Sequence, residues 1–120
     1  MASRRLLIVE DEFLIRMTLS EVLADDGYEV VEAGDADEAL AALAREPDLA
    51  AMLTDIQLPG SMDGRALAAK ARETRPDLPV IFMSGRPDHS VGGNPLDIHI
   101  NKPYLPSTVS AAVRRLTADR

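Results

Sequence analysis

The chain has 120 residues, 46% of them apolar and only 3% aromatic, enough to bury roughly two-thirds of its unfolded surface around an aliphatic core. A formal net charge of −7 argues against binding nucleic acid or an anionic membrane through this region, because phosphate-rich surfaces need a basic partner. There is no cysteine, which removes disulfide and thiolate chemistry and makes the cytoplasm the simplest expected location.

Ser3-Arg4-Arg5 before four apolar residues faintly resembles a secretion signal, but Glu10 and Asp11 cut the apolar run short. No stretch approaches the ~20 apolar residues of a spanning helix.

Residues 6–9 form a short apolar run, the first strand, leading directly into Glu10-Asp11. Residues 12–25 follow as a helix with Ile15, Leu19, Val22 and Leu23 on one stripe, stopped by Gly27. The second strand spans 29–33. Asp35 then caps a helix, with Glu38 three residues later in a capping-box pattern; Ala39, Leu40 and Leu43 point inward before Pro47. Residues 49–55 are the third strand, apolar throughout and therefore central, and they end on Asp55. After a loop over 56–62, Asp63 caps a third helix to about 75, with Leu67, Ala68 and Ala71 facing the sheet.

Pro76 and Pro79 lead to a fourth strand over 80–83, which runs into Ser84. The segment 85–97 holds Gly85, Pro87, Gly92, Gly93 and Pro95, so any helix there is short or irregular. Residues 98–101 form a fifth strand ending at Lys102-Pro103, and Pro106 opens a last helix with Val109, Ala112, Val113 and Leu116 inside. With no repeat or linker, residues 1–120 are expected to be one domain, without room for a second.

Alternating strands and helices predict an α/β fold with an open parallel sheet, whose ligands bind at the carboxyl ends of the strands. That edge gathers Glu10, Asp11, Asp55, Ser84 and Lys102. Each has a plainer reading on its own: Asp11 or Asp55 as a cap or turn brace, Ser84 as a turn hydroxyl, Lys102 as a solvated charge. Their coincidence at strand ends is what those readings do not predict. Three carboxylates and one ammonium leave a deficit that a single divalent cation neutralises, and like charges ~4 Å apart cost about 4 kcal/mol at an effective dielectric of ~20. All-oxygen donors select Mg²⁺, or Mn²⁺ in its place, over zinc. A carboxylate beside such a metal is a nucleophile toward phosphorus, with Lys102 and Ser84 placed to hold phosphoryl oxygens.

Ile8-Val9-Glu10-Asp11-Glu12, Leu53-Thr54-Asp55-Ile56-Gln57-Leu58-Pro59, Met83-Ser84-Gly85 and Asn101-Lys102-Pro103-Tyr104 together resemble the response-regulator receiver domains of two-component signalling. The resemblance covers essentially the whole chain. It implies a doubly wound, five-stranded (βα)₅ flavodoxin-like fold and a phosphoryl group passed from a histidine kinase or histidine phosphotransfer protein to Asp55. It further implies that Glu10 and Asp11 bind Mg²⁺ with Asp55 and the Gln57 main-chain carbonyl, that Ser84 and Lys102 contact the phosphoryl group, that Lys102-Pro103 is cis, and that a downstream protein reads the result.

Two departures stand out. His99 occupies the place of the usual Tyr or Phe three residues before the lysine, and the segment after Ser84-Gly85 is Gly- and Pro-rich where most receivers carry a fourth helix. Both resemble a subgroup bearing a Phe-Ala-Thr-Gly-type motif, so output is expected to run through residues 85–97 rather than an aromatic rotamer.

Three other functions compete. A degenerate receiver that binds without phosphorylation lacks support in so complete a set of acids, serine and lysine. An aspartyl-nucleophile phosphatase wants a second acid where Gln57 stands. Nucleotide or flavin binding lacks a Gly-rich phosphate loop. Phe13, Leu14 and Met17 fall at or near the outer side of the first helix and are expected to meet the kinase partner; the plainer reading is that Phe13 and Met17 tuck over the sheet edge.

Overall fold

The computed structural model describes residues 4–85 and 94–118. Five parallel strands, β1 (Arg5–Val9), β2 (Glu29–Ala33), β3 (Leu49–Asp55), β4 (Val80–Ser84) and β5 (Asp97–Asn101), lie in the order β2-β1-β3-β4-β5. Four helices are described: α1 (Phe13–Asp25), α2 (Ala36–Arg45), α3 (Gly64–Thr74) and α4 (Pro106–Thr117).

The inner strands β1, β3 and β4 are apolar on both sides because helices cover both faces. Leu7, Val9, Met52, Val80 and Phe82 meet Ala39, Ala42, Leu67 and Ala71 of α2 and α3. On the other face Leu6, Ile8, Leu53, Ile81 and Met83 meet Leu19 and Leu23 of α1 and Val109 and Val113 of α4. The sheet is therefore doubly wound. The chain leaves β1 toward β2 on one side and builds β3, β4 and β5 on the other, which opens a crevice between the carboxyl ends of β1 and β3.

Local chemistry sets the boundaries. Asp35 accepts the Glu38 N–H at 2.8 Å and Asp63 accepts the Ala66 N–H at 2.8 Å, capping α2 and α3. The reciprocal Glu38 bond reaches the Gly34 N–H, one residue ahead of the cap. Glu12, expected inside the first helix, is instead its N-cap residue, without a side-chain cap bond. Ser84 belongs to β4 and Asp97 to β5, each one residue beyond the expected strands. Arg72 of α3 ties the start of β5 to the sheet by bonds to the Leu78 carbonyl and, at 2.6 Å, to Asp97.

Ala112 and Leu116 are half-buried yet pack against the core as expected, whereas Val22 is half-buried and outside it. Ser110 and Thr117, by contrast, are buried and satisfied by Asp26 and by Tyr28 with the Val113 carbonyl. The expected short fourth helix and most of the proposed output segment fall on residues 86–93, outside the described residues.

Candidate functional site at the carboxyl edge of the sheet

The crevice between β1 and β3 holds the acids. Glu10 follows β1 and is fully buried, its main-chain N–H still bonded to the Ala33 carbonyl. Asp11 is the next residue, already past the ladder, and exposed; it does not cap α1. Asp55 ends β3 and is 6% exposed. One oxygen from each of the three carboxylates lies within 4.8 Å of the others.

The cis Lys102-Pro103 peptide follows β5. The Lys102 N–H donates to the Ser84 carbonyl at 2.7 Å, and its Nζ lies 2.8 Å from Asp55 Oδ2 and 3.6 Å from Glu10 Oε1. Lys102 is thus no solvated surface charge. Ser84 is buried at the end of β4, and Gln57 donates its N–H to Asp55 Oδ1 at 3.3 Å, so Asp55 both braces the turn and faces the lysine.

Electrostatics follow from burial. Desolvation pushes the Glu10 carboxyl above its usual range and Asp55 adds to it, against the Glu12 N–H and Lys102, which favour the anion. For Lys102, burial works against the ammonium, but the bond and charge of Asp55, with Glu10, outweigh it and raise its pKa. Glu10 Oε1 remains buried without a hydrogen-bond partner. A buried carboxylate oxygen so placed, facing two more acids, fits a hard divalent cation with oxygen ligands.

Gly64 borders the site without having been singled out in the sequence, whereas His99 was. Gly64, at the first position of α3, lies against the Asp55–Ile56 peptide, and its N–H bonds to the Ile56 carbonyl at 2.7 Å. A glycine directly after a capping Asp is the only signal of this in the sequence. His99 stacks on Phe82 with ring centroids 5.1 Å apart and leaves its Nε2 buried without a partner; Arg65 lies over the same Phe82 ring.

An apolar groove of about 570 Å³ runs from the lysine along α1, lined by Leu14, Thr18, Lys102, Pro103, Tyr104 and Pro106 among others. Phe13 (60%), Leu14 (69%) and Leu105 (67%) are the exposed large apolar side chains among the described residues. Met17 is half-buried.

Comparison with known proteins settles the family. The response regulator receiver domain matches residues 6–114. The chain belongs to this family. It is 33% identical over 123 residues to the aerobic respiration control protein ArcA of Escherichia coli, covering 97% of this chain and 49% of ArcA. Among solved structures, a receiver protein from Sinorhizobium medicae superposes with a TM-score of 0.88 at 25% identity, covering 98% of this chain and 96% of that one. The response regulator TrrA of Thermotoga maritima, solved with Mg²⁺ and BeF, gives a TM-score of 0.81 at 26% identity, covering 94% and 98%. The chain spans about half the length of the curated relatives it matches. Among the described residues no helix is long and apolar enough to cross a membrane.

Proposed function

We propose that this receiver is a phosphoacceptor whose chemistry is confined to gaining and losing one phosphoryl group on Asp55. The observation that carries the reading is the Lys102–Asp55 pair, 2.8 Å apart at the switch point of the sheet, beside Glu10 and Asp11. An Asp55 oxygen attacks the phosphorus of a phosphohistidine; the P–O bond forms as the P–N bond breaks, and the imidazole leaves with the electron pair. Lys102 follows the incoming phosphoryl oxygens with its ammonium, and the Ser84 hydroxyl donates to them. Glu10, Asp11, Asp55 and the Gln57 main-chain carbonyl hold Mg²⁺, or Mn²⁺ in its place. When bound, that ion neutralises phosphoryl charge. The binding of Mg²⁺–BeF by TrrA supports this choice. Gln57 stands where an aspartyl-nucleophile phosphatase carries its second acid, which disfavours turnover on a free substrate.

The donor is a histidine kinase or a histidine phosphotransfer protein in the cytoplasm. The groove beside Lys102, with exposed Leu14 on its α1 rim, suits an amphipathic helix carrying the phosphohistidine. The domain's charge of −7 leaves nucleic acid and membranes to any other part of the protein, and the phosphorylated state is read by a downstream protein. Incubation with phosphoramidate, the simplest P–N donor, tests the reading. Mg²⁺-dependent gain of one phosphoryl group is expected; a chain that stays unlabelled at saturating donor would be a degenerate receiver.

A further inference from the structure

The amino end of α3 lies closer to the phosphoacceptor strand than any residue but glycine permits. A Cβ added at Gly64 would stand 2.2 Å from the Asp55 carbonyl oxygen, 2.9 Å from Ile56 Cα and 3.0 Å from the Asp55 carbonyl carbon. All three are backbone atoms, so no rotamer change relieves the clash. The φ of Gly64 is not positive; the requirement is closeness, not handedness. The contrast with Gly34 is direct, since a Cβ there meets only the ends of the Arg16 and Glu38 side chains, at 3.5 Å or more.

The same peptide is held from other directions. The Thr54 hydroxyl, fully buried, donates to the Asp55 carbonyl at 2.9 Å, and the Ile56 N–H donates to the Met83 carbonyl at 2.9 Å. The Gly64 N–H closes the neck of the 56–63 loop on the Ile56 carbonyl. Asp55 and Gln57, the two members of the metal and phosphoryl site on this segment, flank the clamped peptide. Its placement therefore sets theirs.

We propose that Gly64, assisted by Thr54, is a positioning residue: the missing side chain at 64 lets α3 press the Asp55–Ile56 peptide into the one place from which the Asp55 carboxylate and the Gln57 carbonyl face a common cation. This deepens the phosphoacceptor reading and rests on it. A methyl group at 64 forces the neck open by more than 1 Å before ordinary contact is restored, and a misplacement of about 1 Å costs on the order of 100-fold in a reaction that depends on alignment.

The test uses Gly64→Ala, Thr54→Val and, as control, Gly34→Ala in the full chain. Each is followed by amide NMR without metal, by Mg²⁺ titration of the same spectra, and by acetyl phosphate labelling at saturating Mg²⁺. Gly64→Ala is expected to keep a dispersed spectrum with shift changes centred on residues 54–57. Its Mg²⁺ affinity should fall by about tenfold or more and its labelling rate by about 100-fold. Thr54→Val should move both in the same direction by less, and Gly34→Ala should move neither.

A folded Gly64→Ala that melts earlier yet binds Mg²⁺ and labels like the parent overturns the proposal, because the glycine would then be only structural. Should Gly64→Ala fail to fold, Thr54→Val decides: unchanged affinity and labelling overturn the proposal, and a loss of both supports it. A parent chain that never labels strikes the phosphoacceptor reading instead, while the Mg²⁺ titration still tests the positioning.

Discussion

Lys102 and Glu10 stand 3.6 Å apart, and the same ammonium bonds Asp55 at 2.8 Å, so a single half-buried cation serves two buried carboxylates. Glu10 Oε1 has no hydrogen bond of its own. This under-compensated arrangement is the physical reason the domain should respond to a divalent ion, and it makes the pair sensitive to removal of either charge.

Lys102→Met removes the shared cation. The metal-free protein should lose about 1–3 kcal/mol of stability, since the buried Asp55 loses its charged donor and the buried Glu10 loses its nearest cation. Thermal melts with and without Mg²⁺ should show a larger stabilisation by the metal than in the parent, and labelling should slow by about 100-fold or more. A variant as stable as the parent and equally fast to label would show that Lys102 does neither job.

Stability should depend on pH in a way that Mg²⁺ reverses. Burial raises the folded-state pKa of Glu10 above the ordinary 4.5, so its contribution is fully present below the unfolded value and is lost as pH rises through the folded one. Without metal, ionising Glu10 therefore costs stability above pH ~4.5; with metal, the anion is the ligand and the cost is offset. The melting-temperature increment from Mg²⁺ should grow as pH rises from ~4.5 toward neutrality, and should shrink in Glu10→Gln. An increment that stays constant across that window would contradict the assignment of Glu10.

Leu14→Glu places a charge on the exposed α1 rim of the apolar groove. Transfer from a phosphorylated histidine partner should slow by about tenfold or more, the scale of losing one anchoring contact, while labelling by acetyl phosphate stays at the parental rate. Equal slowing of both would place Leu14 in folding rather than docking.

Much of this arrangement was legible in the sequence because parallel strands deliver their last residues to one edge. The runs ending at Glu10, Asp55, Ser84 and Lys102 needed only strand length and period to be brought together, and Asp35 and Asp63 announced their helices by spacing alone. On α1, Phe13 and Leu14 are exposed as expected, while Met17 is half-buried, nearer the plainer reading, since periodicity places a residue on a helix without showing how far its neighbours reach.

Distances between elements distant in sequence were not legible. The approach of Gly64 to Asp55 depends on how deeply α3 settles on the sheet, and the Phe82–His99 stack depends on the register of β4 with β5. That register also opposes Ser84 to Asn101, next to the lysine. The division between buried Glu10 and exposed Asp11 arises because Glu10 still belongs to the hydrogen-bonded ladder and Asp11 does not.

Intact mass after incubation with acetyl phosphate tests the central claim most directly, using the parent chain with Mg²⁺, the parent with chelator, and Asp55→Asn with Mg²⁺. The account predicts one added phosphoryl group in the first sample and none in the other two. Labelling that survives in Asp55→Asn, or a parent that gains nothing at saturating Mg²⁺ and donor, would contradict it.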